Sequence, residues 1–302
     1  MNSNPSHDKP DDVRMRGFAH RTPLLQAIGW LDQQLTLLDA EVVSLAGAHG
    51  RILSKAIASE FNVPGFARAM MDGYAVVATD TLGASTYNRL KLEVAGQSLP
   101  GNPTKENVES GKAIRIMTGA AMPLGADAVL PVEDVVVQQG EILVSGDVAP
   151  GKHVAVPGED IARGTEVLAA GRMVRPQDVG VLASIGVSQV SVVRRPRVRI
   201  VVTGNELLPP GSRPEGTQIV DSNSPMLEAL ISRDGGIAQN PGIVADRPES
   251  IRQAMHDDAD VILVSGGSSV GQEDYAPQIL REEGQLAIHG IAMRPSSPLS
   301  LI

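Results

Sequence analysis

Asp260-Val261-Ile262-Leu263-Val264 runs without a break into Ser265-Gly266-Gly267-Ser268-Ser269-Val270-Gly271 and then Gln272-Glu273-Asp274-Tyr275. A short apolar run, a Gly/Ser-rich turn and a polar restart read as a buried strand, an anion-binding loop and the start of a helix. Glycines at 266, 267 and 271 permit positive φ and close backbone approach, while Ser265, Ser268 and Ser269 offer hydroxyl donors. A helix N-terminus after such a loop points free N–H groups at a negative ligand, and a phosphate fits. Asp274 suits a bare phosphate poorly, but suits one well if a divalent cation lies between them, which makes it a candidate metal ligand. Glycine-rich turns also follow parallel strands for packing reasons alone. The run is neither a Walker A loop, since no Gly-Lys-Ser/Thr follows, nor the dinucleotide fingerprint.

Working outward, the stretch sits in a repeating pattern that begins after Arg194-Arg195-Pro196. A strand over 198–202, a helix begun by Ser222 to Pro225, a strand at Ile243-Val244, a helix over 248–256, the strand at 261–264 and a helix over 275–281 alternate in order. That order predicts a parallel sheet covered by helices on both faces, with its ligand beyond the carboxyl ends of the strands. Three strand ends look alike: Ile116-Met117-Thr118-Gly119, Val201-Val202-Thr203-Gly204 and Leu263-Val264-Ser265-Gly266. The second continues into Asn205-Glu206, and Asp246 follows Ile243-Val244 in the same way. Glu206, Asp246 and Asp274 are therefore expected on one edge, scattered solvated acids being the plain alternative for any one of them.

The first two thirds of the chain differ in character. Thr22 as N-cap with Pro23 at the first helical position predicts a helix that buries Leu24, Ile28, Leu31 and Leu35, and a second helix is expected over 44–58. From Phe61 to about Val148, β-branched runs such as 113–117, 128–130 and 141–144 alternate with Gly/Pro turns and predict a mainly β domain. A short helix over 177–185 and a β stretch to Val193 follow. Met70-Met71-Asp72-Gly73-Tyr74 suggests a buried approach to a tight turn that presents Asp72, equally an ordinary Asp-Gly turn. The domain expectation is a loose tail over 1–12, a discontinuous elongated domain of 13–60 and 149–195, a mainly β domain of 61–148, and an α/β domain of 196–302.

Composition narrows the chemistry. The chain has 302 residues and a formal charge of −9, with three Phe, three Tyr and one Trp, which leaves aliphatic cores and argues against nucleic acid as a partner. With no cysteine there is no disulfide, thiolate nucleophile or Cys-ligated metal, and the six His lack ligand-like spacing. Hard-cation chemistry through oxygen remains. No stretch is long enough to span a membrane and no secretion signal is visible, so no membrane partner and a cytoplasmic location are expected.

Taken together, these segments resemble the molybdopterin molybdenumtransferase family, meaning bacterial MoeA and the E domain of gephyrin. The resemblance is carried by Ala69-Met70-Met71-Asp72-Gly73-Tyr74-Ala75-Val76, Ile114-Arg115-Ile116-Met117-Thr118-Gly119-Ala120, Thr203-Gly204-Asn205-Glu206-Leu207, Asp221-Ser222-Asn223, and Ser265-Gly266-Gly267 through Asp274-Tyr275. It implies a multidomain α/β protein: a mainly β N-terminal region, a three-layer α/β molybdopterin-binding domain, and a homodimer as the assembly. The implied reaction inserts molybdenum from molybdate into adenylylated molybdopterin and releases AMP, with Mg2+ present. On this resemblance Glu206 and Asp274 hold Mg2+ and Asp246 joins the acidic cluster. Ser265, Gly266, Gly267, Ser268, Ser269 and Gly271 cradle phosphate, while Asp221, Ser222, Asn223 and Arg294 contribute to ligand binding. Asp72 and Thr118 match active-site positions on the second domain and are expected to reach the site from the partner subunit. The adenylyltransferase that makes the substrate and other cofactor-assembly proteins are the implied partners.

Departures from the family pattern keep a second reading in view. Members usually continue beyond Met293-Arg294-Pro295 into more sheet and a C-terminal β domain, absent from this chain, so the α/β domain is expected to be incomplete. Ser296-Ser297-Pro298 stands where many have Gly-Lys-Pro, and Gly290 where some carry lysine. Loss of those cations weakens an anion site, which favours a non-catalytic molybdopterin-binding or scaffold protein. A third reading, an adenylyltransferase sharing the α/β domain, is opposed by the long segment from 22 to 195.

Overall fold

The computed structural model describes residues 21–256, 258–266, 275, 279, 282, 284, 287–293, 300 and 301. Their contacts separate into two units, Val42–Val192 and a second formed by the residues up to Glu41 with those from Val193 onward. Helices are α1 (Leu24–Gln34), α2 (Pro176–Ser184), α3 (Asn223–Arg233) and α4 (Pro248–Met255).

The Val42–Val192 unit is built around a mixed six-stranded sheet of β1 (Gly73–Val76), β2 (Leu90–Ser98), β3 (Lys112–Ile116), β4 (Ala128–Pro131), β5 (Val135–Gln138) and β6 (Glu141–Val144), in the order β4-β1-β3-β2-β6-β5. Only β2 and β3 run parallel. All four residues of β1 are buried: Tyr74 and Val76 pack with Leu130 and Ile142 on one face, Ala75 with Ile116 and Val129 on the other. Gly73 is obligatory there, because a Cβ would lie 2.0 Å from the Leu130 carbonyl oxygen.

A separate core joins Ala48 and Leu53 to Leu168, Val174, Val190 and Val192 around Leu182 and Ile185 of α2 and its C-cap. The helix expected over 44–58 does not form. A single 3-10 turn, Leu45–Gly47, gives way to extended chain whose N–H groups bond outward: Gly50 to Val174 O, Leu53 to Arg172 O and Ser54 to Ser191 O. Gly47 and Gly50, the latter at φ +74°, break the helical run, and cross-chain pairing wins over local propensity. Asp178 caps the start of α2. Its carboxylate accepts from the Arg175 backbone N–H and from the guanidinium groups of Arg175 and Arg172, which hold its pKa well below the usual carboxylate range.

In the other unit β7 (Arg197–Thr203) pairs in parallel with β8 (Ile237–Gln239) and β9 (Ile243–Val244) along one side and with β10 (Val261–Ser265) along the other. Alternation sends Val198, Ile200 and Val202 to one face, against Leu227 and Ile231 of α3. It sends Arg199, Val201 and Thr203 to the other, where Arg199 Nε donates to the Ala254 carbonyl of α4 at 3.1 Å. The result is the expected three-layer α/β arrangement. Arg194 clasps Asp260 in a bidentate pair and the Arg197 N–H adds a third bond, so the carboxyl of Asp260 is held low and the start of β10 is pinned beside β7.

Helix α1 belongs with this second unit and differs from expectation in two respects. Pro23 remains extended and the helix starts at Leu24, while Thr22 exchanges backbone hydrogen bonds with Gly290 and Ala292 in a bridge opposite Ile291. Leu24, Ile28, Leu31 and Leu35 are exposed, at 38% or more. Ala27 is the buried position, packed with Trp30 against Ile288 and Ile291. The helix buries a narrow seam here, so its apolar spacing overstated the buried face.

Candidate functional site

The carboxyl edge of the β7 sheet carries Glu206, Asp246, Ser265 and Gly266 among the described residues. Register puts Val202 beside both Ile243 and Ser265, so the turns after β7, β9 and β10 emerge side by side. Thr203, buried at 3% exposure, donates its hydroxyl to Asp246 Oδ1 at 3.2 Å, and the Asp246 N–H donates to Asn205 Oδ1 at 3.3 Å. Asp246 is thus tied to the β7 turn through both side chain and backbone. Glu206 is exposed, with its carboxylate folded back over Gly204: a Cβ at Gly204 would lie 3.0 Å from both carboxylate oxygens. Gly266, at φ +110°, crosses over the end of β7 so closely that a Cβ would lie 2.2 Å from the Thr203 carbonyl oxygen. Only glycine fits that crossing.

The N-terminus of α3 meets the same edge. Asn223 Nδ2 donates to Ser265 Oγ at 2.9 Å, joining the helix start to the β10 turn. Asp221, predicted to bind ligand, is 5% exposed and spends its carboxylate locally: Oδ1 accepts from the Asn223 and Ser224 N–H groups and Oδ2 from the Ser224 hydroxyl. It acts as the helix cap that presents Ser222 and Asn223, both exposed. Leu207–Leu208 pairs with Ile219–Val220, and the Asp221 N–H donates to Leu208 O, so this cap is coupled back to Glu206 through a short strand pair. Gly267, Ser268, Ser269, Gly271, Asp274, Arg294 and most of the helix expected over 275–281 lie outside the described residues.

Asp72 and Thr118 lie in the other unit and are brought together there. Thr118 donates both its N–H, at 2.7 Å, and its hydroxyl, at 2.8 Å, to Asp72 Oδ1. These bonds, the backbone one foremost, hold the Asp72 carboxyl below its ordinary range, with Arg115 adding a smaller electrostatic pull. Asp72 is exposed and precedes β1, while the expected buried approach is only partial, since Met70 is 53% exposed.

The three similar strand ends share a feature that their spacing hinted at without specifying. Each hydroxyl engages a polar side chain from a neighbouring segment: Thr118 with Asp72, Thr203 with Asp246, Ser265 with Asn223. Thr203 was not singled out from sequence, because a threonine inside a β-branched run reads as a strand former. Among the described residues no group of three or more His, Asp or Glu is placed to hold a metal. Glu206 and Asp246 nevertheless present oxygen donors of the type a hard divalent cation takes, so the donor chemistry fits Mg2+.

Comparison with known proteins bears on both units. Residues 22–186 match the family model described as the MoeA N-terminal region (domain I and II), and residues 199–302 match that of a probable molybdopterin binding domain. A molybdopterin molybdenumtransferase of Nostoc sp. is 36% identical over 268 residues, covering 87% of this chain and 61% of the relative. One from Haemophilus influenzae is 34% identical over 264 residues, covering 86% and 64%. The crystal structure of a molybdopterin biosynthesis MoeA protein from Pyrococcus horikoshii superposes with a TM-score of 0.82 at 34% identity, covering 93% of this chain and 72% of that one. The chain therefore spans somewhat under two thirds of the length of these two curated relatives.

Proposed function

The chain belongs to the MoeA family, and from that premise we propose that it acts in molybdenum cofactor biosynthesis as a molybdopterin molybdenumtransferase, inserting molybdenum from molybdate into adenylylated molybdopterin with release of AMP. The observation that carries the reading is the convergence of Glu206, Asp246, Ser265 and Gly266 on one carboxyl edge of a parallel sheet. Ser265 and the close backbone at Gly266 suit a phosphate group, and the exposed Ser222 beside them offers a further hydroxyl donor. Carboxylates beside a phosphoanhydride repel it unless a cation intervenes. Glu206 and Asp274 would hold Mg2+, with Asp246 as a third carboxylate. When bound, the cation supplies charge neutralisation and a template for the leaving phosphate, with no redox role. Asp72 enters the proposal as a fixed carboxylate, ionised throughout the neutral range and oriented by Thr118. Arg294 is assigned to the anion. A homodimer and a cytoplasmic location belong to the same proposal; among the described residues no helix is long and apolar enough to cross a membrane.

A second reading, a molybdopterin-binding or scaffold protein without turnover, is favoured by one observation. Gly290 has φ +88°, a conformation that a lysine seldom adopts, so the cation that some relatives carry there has no ready place in this backbone. The deciding experiment is conversion of adenylylated molybdopterin and molybdate to molybdenum cofactor and AMP by the purified chain, with and without Mg2+, alongside ligand binding. Turnover abolished by chelation supports the transferase. Binding without turnover supports the scaffold. Within the transferase reading, Glu206→Gln should lower Mg2+-dependent turnover by about 100-fold, the scale of a lost charge-stabilising group, while leaving the urea midpoint unchanged.

A further inference from the structure

We propose that Thr203 is a positioning residue of this edge, its buried hydroxyl fixing the Asp246 carboxylate for cation binding; the inference rests on reading the edge as a cation and phosphate site. Thr203 ends β7 on the face that also carries Arg199 and Val201, and is itself almost fully buried. Valine would fill the same volume there without burying a donor, so packing alone does not call for threonine. The hydroxyl donates to Asp246 Oδ1 at 3.2 Å, while the Asp246 N–H is held by Asn205 at 3.3 Å. This half-buried, post-strand residue is thereby held once through its carboxylate and once through its backbone, leaving Oδ2 for another partner. Thr203 cannot easily shift, because Gly266 is pressed against its carbonyl on the β10 side. The same device recurs at Thr118, whose hydroxyl holds Asp72 at 2.8 Å. A hydrogen-bond donor behind a metal-binding carboxylate reduces the ordering required at binding, and its loss characteristically weakens metal affinity about 10- to 100-fold.

The test uses the full chain with Mn2+ alone as probe, its affinity read by electron paramagnetic resonance, and urea midpoints measured in parallel. Thr203→Val should weaken Mn2+ binding by about 10-fold with the midpoint unchanged, and Thr203→Ser, which keeps the hydroxyl, should bind within about twofold of the parent. Should the valine lower the midpoint, Thr203→Ala, which lacks the hydroxyl and adds no bulk, is read in its place. Equal weakening by the serine and valine variants overturns the proposal, since the hydroxyl would then not matter. If Thr203→Val binds as the parent does while Asp246→Asn loses Mn2+, the positioning role falls and the site reading stands. If Asp246→Asn also binds like the parent, or the parent binds no Mn2+, the site reading falls and takes this proposal with it.

Discussion

Asp72 and Thr118 illustrate how a residue's chemistry is set by its neighbours. An Asp before a Gly is commonplace in turns, yet here two donors from one threonine converge on Oδ1 and pull the carboxyl below its ordinary range. A group whose folded pKa is depressed contributes stability above its unfolded value and loses it as pH falls through the folded one. Asp72 is therefore expected to stay ionised to a lower pH than an ordinary Asp. Thr118→Val should bring its titration back up toward about 3.9, as carboxylate NMR would report; an unmoved titration would mean that the Thr118 bonds do not set it. Asp72→Asn, which keeps the shape and removes the charge, should lower turnover by about 100-fold. If steady-state assays show parent-like rates, Asp72 has no part in the reaction. Asp221 runs the other way. Sequence resemblance cast it as a ligand-binding carboxylate, whereas its oxygens are engaged in capping α3.

Among the elements, the segment over 44–58 was the least legible in sequence. Its alternating apolar residues match a helical face as well as they match extended chain, and the choice between them lies in partners more than a hundred residues away, at 172–174 and 188–192. Leu182 of α2 is the centre of that remote pairing and is fully buried. Leu182→Ala should cost about 2–5 kcal/mol through lost transfer energy and the cavity left behind. Hydrogen exchange should show the loss in peptides from 44–58 and 166–192, with the β1–β6 sheet, whose core is separate, retaining its protection. Equal loss in the sheet would mean that the two cores unfold as one. By contrast, β7, β9 and β10 were legible almost to the residue, since each carries a short aliphatic run flanked by turn residues.

At the scale of the whole molecule, both units depend on carboxylates held low by cations or backbone donors: Asp178 under Arg175 and Arg172, Asp260 under Arg194, Asp72 under Thr118. The unfolded chain binds protons at these groups at higher pH than the folded one does, so stability should be steady near neutrality and fall as pH drops below about 4. Thermal midpoints followed from pH 7 downward would show it, and Asp178→Asn should flatten the acid limb; a midpoint indifferent to pH there would contradict the assignment. The net charge of −9 is relieved by protonation only down to an isoelectric point near 5.2; below it the chain is net positive, and growing self-repulsion adds to the loss of the specific pairs. The sequence by itself determined β7, β9 and β10 and the acids Glu206 and Asp246 that follow two of them, because side-chain period and the preference of small and polar residues for turns are local properties. Tertiary structure alone decided that 44–58 is extended, that α1 buries Ala27 in place of its leucine stripe, and that Thr203 reaches Asp246. Each of those outcomes depends on which distant backbone donor, acceptor or apolar surface arrives alongside, and a local pattern carries no record of its eventual neighbour.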